Sequence, residues 1–66
     1  MDVSANGKLR TVAEDASLEE LLQALRLDAA RVVVERNRVI VPREEFAAVT
    51  LAEGNALEIV HFVGGG

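Results

Sequence analysis

The sequence predicts an α+β fold, a mixed sheet of about four to five strands with one helix packed on one face. Three observations carry that prediction. Asn6-Gly7 separates two short extended segments near the start. Ser17 opens a stretch in which leucines recur at helical spacing. β-Branched runs then follow at Val32-Val33-Val34, Val39-Ile40-Val41 and Ile59-Val60.

Asn-Gly is a strong hairpin signal, because both central residues of a type I′ turn need positive φ. Val3 to Ala5 and Lys8 to Val12 are therefore the expected strands of a hairpin. Ser17 suits a helix N-cap, and Glu20 three residues later completes a capping box. Leu18, Leu21, Leu22 and Leu25 stand at i, i+3, i+4 and i+7, which places them on one helical face. Glu19, Gln23 and Arg26 occupy the polar face, and the leucines are expected to pack on the sheet. Val32 to Glu35 is expected as a strand, Asn37-Arg38 as a turn and Val39 to Val41 as the next strand, ending before Pro42. Arg43 to Ala48 is expected to form a short turn or 3₁₀ segment with Phe46 inward. Val49 to Leu51 is read as a further short extended piece, Glu53-Gly54-Asn55 as a break, and Leu57 to Val63 as the last strand. Hairpin, crossing helix and returning strands together describe a β-grasp arrangement spanning residues 1–63, followed by a glycine tail at 64–66.

Composition excludes several function classes. A chain of 66 residues buries only about 60% of the surface its unfolded form exposes, which leaves little room for a large catalytic cleft. There is no cysteine to act as nucleophile or to form a disulfide. The single histidine rules out a site with two imidazoles from one chain. The net charge is −4, and the seven basic residues are scattered. Nucleic-acid binding calls for a basic face, often with stacking aromatics, and only Phe46 and Phe62 are aromatic. No apolar run approaches the ~20 residues of a membrane span. Met1-Asp2-Val3-Ser4 lacks the basic start and apolar run of a signal peptide. A soluble, cytoplasmic protein that binds neither nucleic acid nor membrane is expected.

The end of the chain holds the chemistry. Gly64, Gly65 and Gly66 are three of the five glycines. Glycine has no side chain and is costly to order, so the triplet is expected to form a flexible thread. Fully extended it reaches roughly 10 Å, thin enough to enter a channel that rejects side chains. Its tip is an α-carboxylate, ionised at neutral pH. Such a group can attack the α-phosphate of ATP to give an acyl-adenylate, from which a sulfur nucleophile displaces AMP. A frayed terminus would show the same glycines, so the surrounding residues must arbitrate.

Val32-Val33-Val34-Glu35-Arg36-Asn37, Val39-Ile40-Val41-Pro42-Arg43 and the closing Glu58-Ile59-Val60-His61-Phe62-Val63-Gly64-Gly65-Gly66 closely resemble the ThiS-type sulfur carriers of thiazole biosynthesis. The likeness extends over essentially the whole chain and is most specific in the last nine residues. It implies a ubiquitin-like β-grasp fold and a carrier that is a cosubstrate, not an enzyme. It implies that an E1-like adenylyltransferase (ThiF type) adenylates Gly66 with ATP and magnesium. Sulfur from a cysteine desulfurase then makes the thiocarboxylate, and a thiazole synthase (ThiG type) takes it. Gly65 matches the family's second terminal glycine, and Gly64 lengthens the thread. No G-x-x-x-x-G-K-[ST] motif is present, so ATP is expected on the partner and no cofactor on this chain. The same thread chemistry would serve molybdopterin synthesis, tRNA thiolation or ubiquitin-like protein modification. An interaction module with an inert tail is a reading from another class.

Alternation along the last strand marks a second candidate surface. Leu57, Ile59, His61 and Val63 form one set; Glu58, Val60 and Phe62 form the other. One helix covers one face, so an apolar set must remain uncovered, and such patches mark binding sites. Leu57 and Ile59 are expected to face the leucines. Val60 and Phe62, with Val63 beyond them, are the candidate partner-binding residues. His61 is read as a solvated or partner-facing residue, because attack by an ionised carboxylate needs no base. Arg36 and Arg38 form a small basic spot, solvated by default and open to acidic groups of a partner.

Overall fold

The computed structural model describes residues 1–62. Five strands form one mixed sheet in the order β2-β1-β5-β3-β4, with β1 at Asp2–Ala5, β2 at Lys8–Thr11, β3 at Val32–Arg36, β4 at Val39–Val41 and β5 at Ala56–His61. The first and last strands run parallel at the centre. Each is flanked by an antiparallel neighbour, β2 on β1 and β3 on β5. The single helix, α1, covers Leu18–Ala24 and carries the chain from the β2 edge to β3. Among the described residues no helix is long and apolar enough to cross a membrane.

Local chemistry accounts for the elements. At Asn6-Gly7 both residues have positive φ, 53° and 79°, as a type I′ turn demands. Asn37-Arg38 repeats the pattern at 50° and 70°. Ser17 caps α1: its hydroxyl accepts from the Glu20 amide, and the Glu20 carboxylate accepts from the Ser17 amide. The capping box satisfies two amides that a helix start otherwise leaves bare. Leu18, Leu21 and Leu22 are buried, while Leu25 caps the helix and packs at the margin of the core. They meet Val3, Val34, Leu57 and Ile59 from the sheet and Phe46 and Leu51 from the returning segment. Phe46 thus points inward as expected, just after a 3₁₀ turn at Arg43–Glu45.

Two expectations are revised and one is made specific. Val49 to Leu51 is extended, as expected, and joins no strand of the sheet. Thr50 makes one isolated bridge to Ser17, and the Leu51 amide donates to Ala16, so this piece braces the helix entry while Leu51 fills the core. A 3₁₀ turn at Ala29–Arg31, capped by the Asp28 carboxylate, precedes β3 where no element was expected. The last strand begins at Ala56 and ends at His61, so Phe62 lies outside it, while the expected end at Val63 lies beyond the described residues. Its partner β3 starts at Val32, so the ladder ends at the Val32–His61 pair.

Candidate functional site

The site is built on β5, because that strand leads to the terminal glycines. Hydrogen bonds from both hairpin turns hold it in place. Asn6 Nδ2 donates to the Ile59 carbonyl at 3.0 Å, and the Ile59 amide donates to Asn6 Oδ1 at 2.6 Å. The Asn6 side chain therefore continues the parallel ladder after β1 has turned away. On the other edge, the Asn37 amide donates to the Ala56 carbonyl at 2.7 Å and the Ala56 amide to Asn37 Oδ1 at 2.9 Å. Beyond the strand, the Phe62 amide donates to the Arg31 carbonyl at 2.8 Å. The chain is thus aligned up to the last described residue. Val63, Gly64, Gly65 and Gly66, named from the sequence as partner-binding, threading and modified positions, lie outside the described residues.

The strand's alternation places the other candidates. Leu57 and Ile59 are buried beneath α1. Val60 and Phe62 point away from it and are 55% and 54% exposed. Register adds neighbours that the reading of β5 alone missed. Val33 lies opposite Val60, and Glu35 lies opposite both Glu58 on β5 and Ile40 on β4. Val33 and Ile40 are exposed like Val60 and Phe62. The outer face therefore carries an apolar patch of Val33, Ile40, Val60 and Phe62. Strict alternation in Val32-Val33-Val34, combined with a single covering helix, would have found Val33. Ile40 needed the pairing of β4.

The remaining candidates separate from that patch. His61 is exposed and borders an open recess of about 350 Å³ together with Lys8, Arg10, Leu25 and Leu27. It sits on the strand's inner set but beyond the cover of the helix. Arg36 pairs with Leu57, at the opposite end of β3 from Phe62, and its Nη1 lies 3.5 Å from the Thr50 carbonyl. Arg38 lies in the adjoining turn. Neither arginine borders Val60 or Phe62. The described residues contain no group of three or more side chains suited to hold a metal.

A mixed sheet with a crossing helix and a central strand leading to a glycine end defines a β-grasp, ubiquitin-like domain. A family model described as the ThiS family matches residues 3–66. This chain belongs to the ThiS family. It is 39% identical over 62 residues to the sulfur carrier protein ThiS of Bacillus subtilis, covering 92% of this chain and 94% of that one. It superposes on the crystal structure of the thiamine biosynthesis protein (ThiS) from Geobacter metallireducens with a TM-score of 0.83, at 43% identity and over the full length of both chains. It is also 42% identical over 66 residues to the thiazole synthase of Paramagnetospirillum magneticum, all of this chain matching 20% of that protein. The chain spans only that fifth of the synthase relatives it matches.

Proposed function

We propose that the chain is a sulfur carrier of thiamine biosynthesis, acted on by partner enzymes and not itself an enzyme. The carrying observation is the family match, which runs unbroken through the terminal glycines. In this reading Gly66 bears the sulfur. Its carboxylate oxygen attacks the α-phosphorus of ATP, pyrophosphate leaves, and an acyl-adenylate forms. Hydrosulfide-level sulfur then attacks the carbonyl carbon, and AMP leaves with the C–O electron pair. The product is a thiocarboxylate. Activation splits one difficult substitution into two easier ones.

An E1-like adenylyltransferase (ThiF type) holds the ATP and magnesium. A cysteine desulfurase is the sulfur source: it carries the sulfur as a persulfide, and a thiol reductant supplies the two electrons that bring it to the sulfide level, leaving as a disulfide. The acceptor is a thiazole synthase (ThiG type). Likeness between this whole chain and one fifth of two thiazole synthases supports that choice, since it unites a carrier-like segment with the synthase in one polypeptide. Val60 and Phe62, with Val63, are the contacts that dock the carrier. Exposed apolar residues suit that role, and the asparagine clamps on β5 fix the strand that carries Val60.

Intact-mass analysis tests the chemistry. With ATP, magnesium, the adenylyltransferase and sulfide, the mass is expected to rise by about 16 Da, one oxygen exchanged for sulfur at the activated carbonyl. Fragmentation should place the change on Gly66, and a variant lacking Gly65 and Gly66 should gain nothing. A shift mapped to another residue would remove the carrier reading.

A further inference from the structure

The outer face of the sheet is apolar toward Phe62 but acidic four residues back along β5. Glu58 and Glu35 stand directly opposite each other on β5 and β3. Directly opposed side chains have Cβ atoms about 4.5–5.5 Å apart, and like charges there destabilise a sheet. No cation relieves them. The one ion pair among the described residues joins Arg31 to Asp28, and neither glutamate is bonded to another side chain. Within the ladders their cross-strand and diagonal neighbours on this face are Ile40, Val33, Val60 and Ala56, none of which carries a side-chain donor; Arg38, in the adjoining turn, makes no ion pair with either glutamate. The basic residues of β2, Lys8 and Arg10, pair with buried Ala5 and Val3 and so belong to the inner face.

We infer that this face docks a protein surface presenting an apolar socket for Phe62 and, roughly 13 Å from it along the strand direction, a basic side chain that bridges Glu35 and Glu58. The spacing follows from the four extended steps that lead from Glu58 to Phe62, at about 3.3 Å each. A shallow recess of about 370 Å³ lined by Val33, Ile40, Pro42, Arg43 and Phe62 lies beside the apolar end. An arginine fits the acidic end, because its planar fork can bond two carboxylates at once. A second copy of this chain does not fit. Pairing this face with itself either opposes the two acidic ends, which brings four carboxylates together, or sets each acidic end against the apolar end of the other copy, which leaves both pairs without a counter-charge. The occupant is the thiazole synthase, so the inference rests on the proposed function and adds the charge that selects the partner.

The test measures binding of the carrier to purified thiazole synthase by calorimetry at low and high salt. Glu58→Gln and Glu35→Gln are each expected to weaken binding about tenfold and, combined, to flatten its salt dependence, as loss of an interfacial charge does. Both variants should melt at or above the parent temperature, because a like-charge pair has been relieved; a merely structural role would lower it. Phe62→Ala should weaken binding yet keep the salt dependence. Glu14→Gln, in an exposed loop far along the chain, should change neither. If the parent chain binds and both glutamate variants bind equally well, the acidic key is wrong while the carrier reading stands. If the parent chain does not bind the synthase, both fall.

Discussion

The inner and outer faces of the sheet are drawn from the same strands and nearly the same residue types. Val32, Val34, Ile59 and Leu57 point one way; Val33, Ile40, Val60 and Phe62 point the other. The first group is buried under α1, and the second is left in water. Hydrophobicity therefore does not separate the faces. Cover does, and the described residues supply one α-helix to give it. The inner face holds the fold together, while the outer face remains free for a partner at little cost to stability.

Leu22→Ala should have the largest effect of any single change on the inner side. The side chain is almost fully buried, and truncating such a leucine costs about 2–5 kcal/mol through lost transfer energy and the cavity left behind. Urea titration reads this directly. A loss below about 0.5 kcal/mol, the size of an ordinary surface change, would erase the distinction between the faces.

Asn6→Gly probes the clamp that sets β5 between them. Glycine keeps the positive φ of the turn, so the variant isolates the loss of the side chain. The Ile59 amide and carbonyl then lose their partners in a half-buried place, at a cost of about 1–3 kcal/mol. Amide hydrogen exchange at Ile59 should quicken with it. An unchanged unfolding midpoint would show that β5 is held by the β3 ladder alone.

Phe62→Ala should have the smallest effect on stability and sharpen the contrast most. At 54% exposure its removal is expected to change folding by less than about 0.5 kcal/mol. Partner binding should weaken by more than about 1 kcal/mol, as for a buried aromatic anchor. A large stability loss with unchanged binding would move Phe62 to the inner group.

Much of this architecture was legible before any coordinates. Residues adjacent in sequence wrote their own local structure: Asn6-Gly7 its turn, Ser17 and Glu20 their cap, the leucines their face. Such signals are short-ranged, acting through φ preferences and bonds across a few residues. The exposure of Val60 and Phe62 was also within reach, because strand alternation and one helix leave no other arrangement. The Val49–Leu51 segment was legible as an extended piece, but that it braces the helix entry and joins no ladder depends on Ala16 and Ser17, far back in the chain.

The five strands, the helix with its buried leucine face and the glycine end that the family match shares could all be read from neighbouring residues. Only the tertiary structure decided which strands lie side by side. That pairing put Glu35 against Glu58, Val33 against Val60, and Asn6 against Ile59, residues up to 53 positions apart. No local preference encodes such contacts. They arise because burying one face beneath α1 leaves a single register in which the apolar sets of all five strands meet, and every outward residue then follows from the pleat.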